Sequence, residues 1–350
     1  MQVVKIAAQF NIGSEPLYDR PISKLSRNER FLVDLTDGTS IVLQKINSNA
    51  FPDPVRLVKN SWSVANYIAA LPDPAFHHTL FPTLDERQYF TDLEGFRWIA
   101  YRFVDGFAPE EKNAGVAAML GHAVGEFHRT LTDFPVEALG ATLPNYHNTP
   151  HYYRAFEDAL SKAPNNISGA LPGEIGFVKK QFRNASGLLE MGLAARVTHN
   201  NVTLGNLLLD NETGLPKGLI NYDSVMPGII AFDFGQGAMS CCYEAKSDET
   251  DMNRVSFDMQ MFDAYSRAFI SKTHSILEEN EPASLALGSV IMTLEAGMRY
   301  LTAYLSNSTE FTEEYDGQNL NRARVLLYLS MQMQEKYAHM CAVVKNAFIL

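Results

Sequence analysis

Residues 197–210 read Val-Thr-His-Asn-Asn-Val-Thr-Leu-Gly-Asn-Leu-Leu-Leu-Asp, and Ile220-Asn221-Tyr222-Asp223 begins ten residues after Asp210. The spacing of His199, Asn201, Asn206 and Asn221 is that of a phosphoryl-transfer loop, H-x-D-x-x-x-x-N, with its trailing hairpin. In such a loop the Asp orients the attacking hydroxyl and takes its proton. The Asn five residues on and an Asp on the hairpin hold magnesium. Here Asn201 stands at the base position and Asn221 at the metal position. An amide is nearly isosteric with a carboxylate, so the backbone can accept the exchange. It cannot take the proton, however, and it brings no charge to a cation. By analogy with an oxyanion donor, losing one transition-state interaction costs about 3–4 kcal/mol. Asp223 lies two residues beyond Asn221, on the same face of a regular strand and about 6.6 Å further along. Asn206 and Asp223 are therefore the remaining candidates for a magnesium ligand, and Asn201 for orienting a hydroxyl without deprotonating it.

Other residues suggest further parts of a site. Lys45 closes an apolar run and resembles a strand lysine that touches nucleotide phosphates, or else is a solvated strand lysine. Glu295 and Arg299 stand at i,i+4 on one helical pattern, which alone makes a favourable pair. Tyr315 lies in a polar stretch, and either stacks on a ligand face or is an ordinary half-buried tyrosine. His147 and His151 are also four apart, but Pro150 argues against a regular helix there and no carboxylate or cysteine stands close by in sequence, so metal binding is disfavoured. The methionines on helical patterns, such as Met292 and Met333, read as core filling.

These residues need elements to hold them. Residues 1–20 suggest a helix and a connector. Segments 30–35 and 40–46 alternate around Thr36-Asp37-Gly38-Thr39, which predicts a β-hairpin. Helical spacing of Val55, Val58, Trp62, Ala65 and Ile68 predicts a helix over 53–71. Strands are expected at 87–91 and 96–103. Beyond Val104-Asp105-Gly106 the patterns are mostly helical: 114–131, 152–160, 171–191, 251–269, 283–305 and 319–347. A polar, Asn- and Asp-rich hairpin at 196–233 interrupts them, which is where function concentrates. The expectation is an α+β, two-lobed, protein-kinase-like fold. Residues 1–105 form a small β-rich N-lobe, and 106–350 a larger, mainly helical C-lobe.

The bulk properties agree with a globular protein. The 350 residues carry 29 Lys and Arg against 40 Asp and Glu, a net charge of −11. That argues against nucleic-acid and anionic-membrane binding. Cys241, Cys242 and Cys341 form no spaced framework, which suits a reducing compartment. No signal peptide and no membrane-length apolar run are read, so the expected location is the cytoplasm.

The loop and hairpin, followed by Asp223-Ser224-Val225-Met226-Pro227-Gly228 and Phe232-Asp233-Phe234-Gly235, resemble the N-acetylhexosamine 1-kinases of the aminoglycoside phosphotransferase and choline kinase superfamily. So do Val42-Leu43-Gln44-Lys45-Ile46-Asn47, Tyr146-His147-Asn148-Thr149-Pro150-His151, Glu295-Ala296-Gly297-Met298-Arg299-Tyr300-Leu301 and Asn319-Leu320-Asn321-Arg322-Ala323-Arg324. The resemblance implies ATP and magnesium as cofactors, with Lys45, Asn206, Asn221 and Asp223 on the nucleotide side. It implies a sugar pocket using Glu295, Arg299 and Tyr315, and structural roles for His199 and for Asp233, which would brace the loop. The chain departs from the family at Asn201, Asn221, Gln236, Thr203 and in Ser23–Asn28, where a Gly-rich phosphate loop is expected. The losses gather in the nucleotide half. The expected function is a pseudokinase that keeps a sugar-like small-molecule pocket. The alternative is an active ATP-dependent hexosamine kinase acting on an anomeric hydroxyl.

Overall fold

The computed structural model describes residues 2–23, 27–72 and 78–349. The chain opens with helix α1 (Gln2–Ala7) and strands β1 (Pro16–Ser23), β2 (Glu29–Leu35) and β3 (Ser40–Lys45). Helix α2 (Pro54–Ala69) follows, then β4 (Leu80–Phe81), β5 (Phe90–Thr91) and β6 (Arg97–Arg102). The strands make one antiparallel sheet in the order β1-β2-β3-β6-β4, with β5 also on β6. The β2–β3 turn is set by its sequence. Gly38 takes φ +84°, and Asp37 Oδ1 accepts from the Thr39 amide at 2.9 Å.

The alternation of β3 divides its side chains between two layers. Ile41 and Leu43 pack with Ile6, Phe10 and Trp98 under α1. On the other side Ile99 and Ile46 join Leu57, Val58 and Ala65 of α2. Helix α2 starts at a satisfied cap, where Asp53 Oδ1 accepts from Arg56 N at 2.9 Å. Its Asn60 donates to the carbonyls of Gly140 and Val225, both at 2.7 Å, and so ties the sheet to the helical part.

The helical part runs α3 (Ala114–Thr130), α4 (Thr149–Lys162), α5 (Asn165–Ser168), α6 (Pro172–Ala185) and α7 (Gly187–Glu190). Four short strands then interrupt it: β7 (Arg196–Thr198), β8 (Leu207–Leu209), β9 (Pro216–Leu219) and β10 (Met226–Gly228). It closes with α8 (Ile230–Cys241), α9 (Met259–Thr273), α10 (Glu281–Ser306), α11 (Gln318–Glu335) and α12 (Tyr337–Ala347). Strands β8 and β9 form the hairpin, and β7 pairs with β10. The architecture is α+β, a small antiparallel sheet joined to a larger helical body. Among the described residues no helix is long and apolar enough to cross a membrane.

Several expectations change, among them the helix expected over 171–191, which is two, α6 and α7, and the strand expected over 87–91, of which only Phe90–Thr91 pairs. Residues 16–23 form an edge strand, not a connector; Pro16 and Pro21 hid it, and prolines are tolerated at an edge. Helix α8 was not expected, because Gly235 and Gly237 lower helix propensity. Packing requires both: a Cβ on Gly235 would lie 2.4 Å from the Gly288 carbonyl, and one on Gly237 2.1 Å from the Tyr265 hydroxyl. The single helix expected over 319–347 is two, broken at Lys336.

Helices α3 and α9 meet closely through Gly121 and Gly125. A Cβ on Gly121 would lie 2.2 Å from the Tyr265 carbonyl oxygen, a backbone atom that cannot swing aside. Gly121→Ala is expected to destabilise the fold by about 1–3 kcal/mol, despite alanine's better helix propensity. Urea unfolding that shows Gly121→Ala as stable as the parent would contradict this packing.

Candidate active site

The loop of residues 199–206 leaves β7 and is fastened from below by α8. Asp233 accepts from the amides of His199 and Asn200, each at 2.7 Å, and pairs with His128 Nε2 at 3.0 Å. Burial pushes the Asp233 carboxyl up, but His128 and the other donors outweigh it and its pKa falls below the usual value. Asn200 sits at φ +58° and sends Nδ2 to Thr198 Oγ1 at 2.7 Å. Asparagine tolerates that left-handed geometry. His199 is buried, donates from Nε2 to the Ile220 carbonyl at 3.1 Å, and packs edge-on against Phe127 and Tyr222. His199 and Asp233 thus lie beneath the loop, away from its open side.

Asn201 lines the cavity above the loop, and its carbonyl accepts from Asn206 Nδ2 at 2.8 Å. Asn221, at φ +75°, places Nδ2 3.5 Å from Asn206 Oδ1. The geometry brings Asn201, Asn206 and Asn221 together as their spacing suggested; Asp223 comes near as well, but from a single helical turn (Tyr222–Ser224) after the left-handed Asn221 and not from the regular strand expected.

What fills the centre was not expected. Arg30 of β2 reaches down from the sheet, and its Nη2 lies 2.5 Å from Asn221 Oδ1 and 2.5 Å from Asp223 Oδ2. Asn28 Nδ2 also donates to Asp223 Oδ2 at 2.9 Å, and Gln44 Nε2 to Asp223 Oδ1 at 2.8 Å. Gln44 Oε1 in turn accepts from Arg30 Nε at 2.7 Å. Burial works against the Arg30 charge, but Asp223 and Tyr101 more than offset it, and the guanidinium pKa is raised. Both carboxylate oxygens of Asp223 are committed to protein donors. The residues present do not fit magnesium, because a guanidinium occupies the place of the cation and Asn221 adds no charge. Among the described residues no cluster of three or more His, Cys, Asp or Glu could hold a metal.

Lys45 is not in this centre, which corrects its expected contact with phosphate. Its Nζ lies 3.7 Å from the centroid of the Phe96 ring and 3.5 Å from Glu29. It shares the sheet face of Leu43 and Trp98, and by strand alternation its neighbour Gln44 faces the cleft. Residues 24–26 of the expected phosphate loop lie outside the described residues. Near Val104–Gly106 a cleft of about 770 Å3 opens between Thr79, Phe103, Leu208 and Ile220. Lys217 Nζ donates to the Asp105 carbonyl there at 2.9 Å.

The cavity above the loop, about 390 Å3, joins Asn201 to α10 and α11. Glu295 and Arg299 both line it, but they do not pair as expected. Glu295 is 2% exposed and takes His147 Nδ1 at 2.7 Å and Thr149 Oγ1 at 2.8 Å. His147 Nε2 meets Gln236 Nε2 at 2.9 Å, and Gln236 Oε1 accepts from the Val202 amide at 3.0 Å. The tautomer with hydrogen on Nδ1 satisfies both contacts. Arg299 Nη2 goes instead to Glu310 at 2.6 Å, with its guanidinium between the rings of Tyr146, Tyr152 and Phe311. Tyr315 is outside the cavity: it is 45% exposed and donates to Asp248 at 2.9 Å. Sequence reasoning missed Arg30, Gln44 and the pairing of His147 with Glu295. The Asn28-x-Arg30 stretch offered no spacing signal, since its partners are nearly two hundred residues away.

A family model described as "Phosphotransferase enzyme family" matches residues 20–269. Among solved structures, the chain is similar to the microcompartment-associated aminopropanol kinase, with a TM-score of 0.67 and 15% identity over 96% of this chain and 97% of that one. It is similar to an aminoglycoside phosphotransferase from Alicyclobacillus acidocaldarius, with a TM-score of 0.65 and 10% identity over 98% and 96%. It is also similar to choline kinase from Cryptosporidium parvum, with a TM-score of 0.55 and 13% identity over 95% and 93%. At these identities the likeness is one of fold, and the fold is protein-kinase-like.

Proposed function

The chain belongs to the phosphotransferase enzyme family, and on that premise we propose that it is a pseudokinase, a kinase-fold protein that binds a polar, hexosamine-like small molecule without transferring phosphate to it. The observation that carries this reading is Arg30. Its guanidinium sits between Asn221 and Asp223, where a kinase places its metal, and neither Asn201 nor Asn221 supplies a carboxylate. A base is missing and a fixed cation stands in for the exchangeable one. The retained feature is the acceptor-side cavity, where Glu295, His147 and Gln236 are joined to the loop by hydrogen bonds. In this reading the lobes divide at Val104–Gly106, and the protein works in the cytoplasm, consistent with three free cysteines.

The test is a calorimetric titration with Mg-ATP, paired with a phosphoryl-transfer assay over a panel of hexoses and hexosamines. Binding is expected in the millimolar range or absent, at most about 4 kcal/mol, with no labelled sugar phosphate formed. Micromolar, magnesium-dependent ATP binding with turnover of any sugar would establish an active kinase instead.

A further inference from the structure

The cavity that holds Asn201 and Glu295 is positively charged in an acidic protein. The chain bears −11 overall, yet the cavity walls include Arg27, Lys112, Arg299 and Arg322 against one carboxylate, Glu295. That carboxylate is already met by His147 and Thr149. The cations find no carboxylate within the cavity. Arg299 pairs outward with the half-exposed Glu310, which lines a neighbouring cleft. Arg322 Nη1 donates to the Thr312 carbonyl at 2.9 Å and to Asn319 Oδ1 at 3.1 Å. Lys112 Nζ donates to the Ala245 carbonyl at 3.2 Å and sits 3.4 Å from the centroid of the Tyr243 ring.

Three of these charges share one aromatic wall. The Arg27 and Arg299 guanidiniums lie 5.9 and 5.4 Å from the centroid of the Tyr146 ring, and that of Arg322 lies 5.6 Å from Tyr300, whose ring is 4.4 Å from the Phe311 ring that Arg299 also meets. Arg299 retains donors, and its Nε is buried without a partner. Gathered guanidiniums repel one another in a partly desolvated cleft, and the field they focus draws an anion. Their forked donors match phosphate or carboxylate geometry. The remaining walls mix aliphatic and small polar side chains with four aromatic rings, Tyr146, Tyr243, Tyr300 and Phe311. Such rings cover the apolar face of a flat, ring-shaped polyol.

We propose that the ligand of this cavity is an anionic sugar, a pyranose bearing phosphate or carboxylate, with the anion held by Arg299, Arg322 and Arg27 and the ring laid against the tyrosines. The assignment rests on the small-molecule reading above and adds the ligand's charge to it.

The experiment is calorimetry on the full chain with glucose, N-acetylglucosamine, glucose 1-phosphate, glucose 6-phosphate, glucuronate and inorganic phosphate. At least one anionic sugar is expected to bind at least about tenfold more tightly than either neutral sugar, a difference of about 1.4 kcal/mol, and to weaken as salt rises. The phosphate and carboxylate arms separate the two anion chemistries. Arg322→Gln and Arg27→Gln should each lower the anionic affinity about tenfold and weaken the neutral sugars less. Unliganded melting temperatures show that each variant is folded. Equal affinity for neutral and anionic sugars overturns the assignment but leaves the small-molecule reading standing. So does inorganic phosphate binding as tightly as the sugar phosphates, or anionic affinity that survives both substitutions. Absence of binding by every sugar overturns both readings. Phosphoryl transfer from ATP would overturn the pseudokinase reading alone.

Discussion

A protein carrying Arg30→Ala and Asn221→Asp is expected to gain a magnesium-dependent stabilisation, in the presence of a non-hydrolysable ATP analogue, that the parent chain lacks. In the parent, Asp223 Oδ2 takes both Arg30 and Asn28, and Oδ1 takes Gln44. Removing the guanidinium empties the place of the cation, and the second substitution restores a charged ligand beside Asn206. With the metal-nucleotide complex at one hundred times its dissociation constant, the gain would be about 2.7 kcal/mol. Arg30→Ala by itself should be costly. Its side chain is 13% exposed and that of Asp223 9%, so the substitution leaves a nearly buried carboxylate without its cation. Breaking such a pair costs about 3–5 kcal/mol. Urea unfolding with and without magnesium reads both effects. If the double variant shows no magnesium dependence, Arg30 is not what keeps the metal out. If the parent shows the same gain as the variant, the pseudokinase proposal loses its main support.

The second large effect is expected at Asp233. This fully buried carboxylate accepts from two backbone amides and pairs with His128, and it fastens the whole loop of residues 199–206 to α8. Asp233→Ala would strand the amides of His199 and Asn200 and leave His128 without its partner. The expected loss is about 3–5 kcal/mol of folding stability. The pH dependence follows from the direction of the shift. The folded carboxyl has a pKa below its ordinary value of 3.8. Its stabilising contribution is therefore complete above that value and is lost as pH falls through the lower, folded one. Asp233→Ala should lower stability at neutral pH and flatten the acid limb. Equal stability of parent and variant in urea at pH 7 would show that the loop does not depend on this anchor.

Much of the molecule was legible because its signals are local. Alternation around Asp37-Gly38 marked the β2–β3 hairpin, and apolar spacing marked α2, α3 and α10 to within a few residues. The loop spacing from His199 to Asn221 located the centre, because loop, strand, turn and strand are contiguous in the chain. Elements failed where tertiary contact overrode propensity, as at the glycines of α8, which are tolerated only because α10 and Tyr265 press against them.

The sequence by itself determined the fold class, the family resemblance and the presence of amides at positions 201 and 221. It could not determine the phase of the alternation on β3. A strand places consecutive residues on opposite faces, and nothing local says which face meets the cleft. Only the packing of Leu43 and Trp98 under α1 decided that Gln44, and not Lys45, looks toward Asp223. In the same way, the i,i+4 spacing allowed Glu295 and Arg299 to pair, and burial against His147 and Thr149 decided that they do not. The Arg30 contact with Asp223 spans 193 positions in the chain. No periodicity or motif reaches that far, because a long side chain finds its partner only after the sheet has closed over the loop.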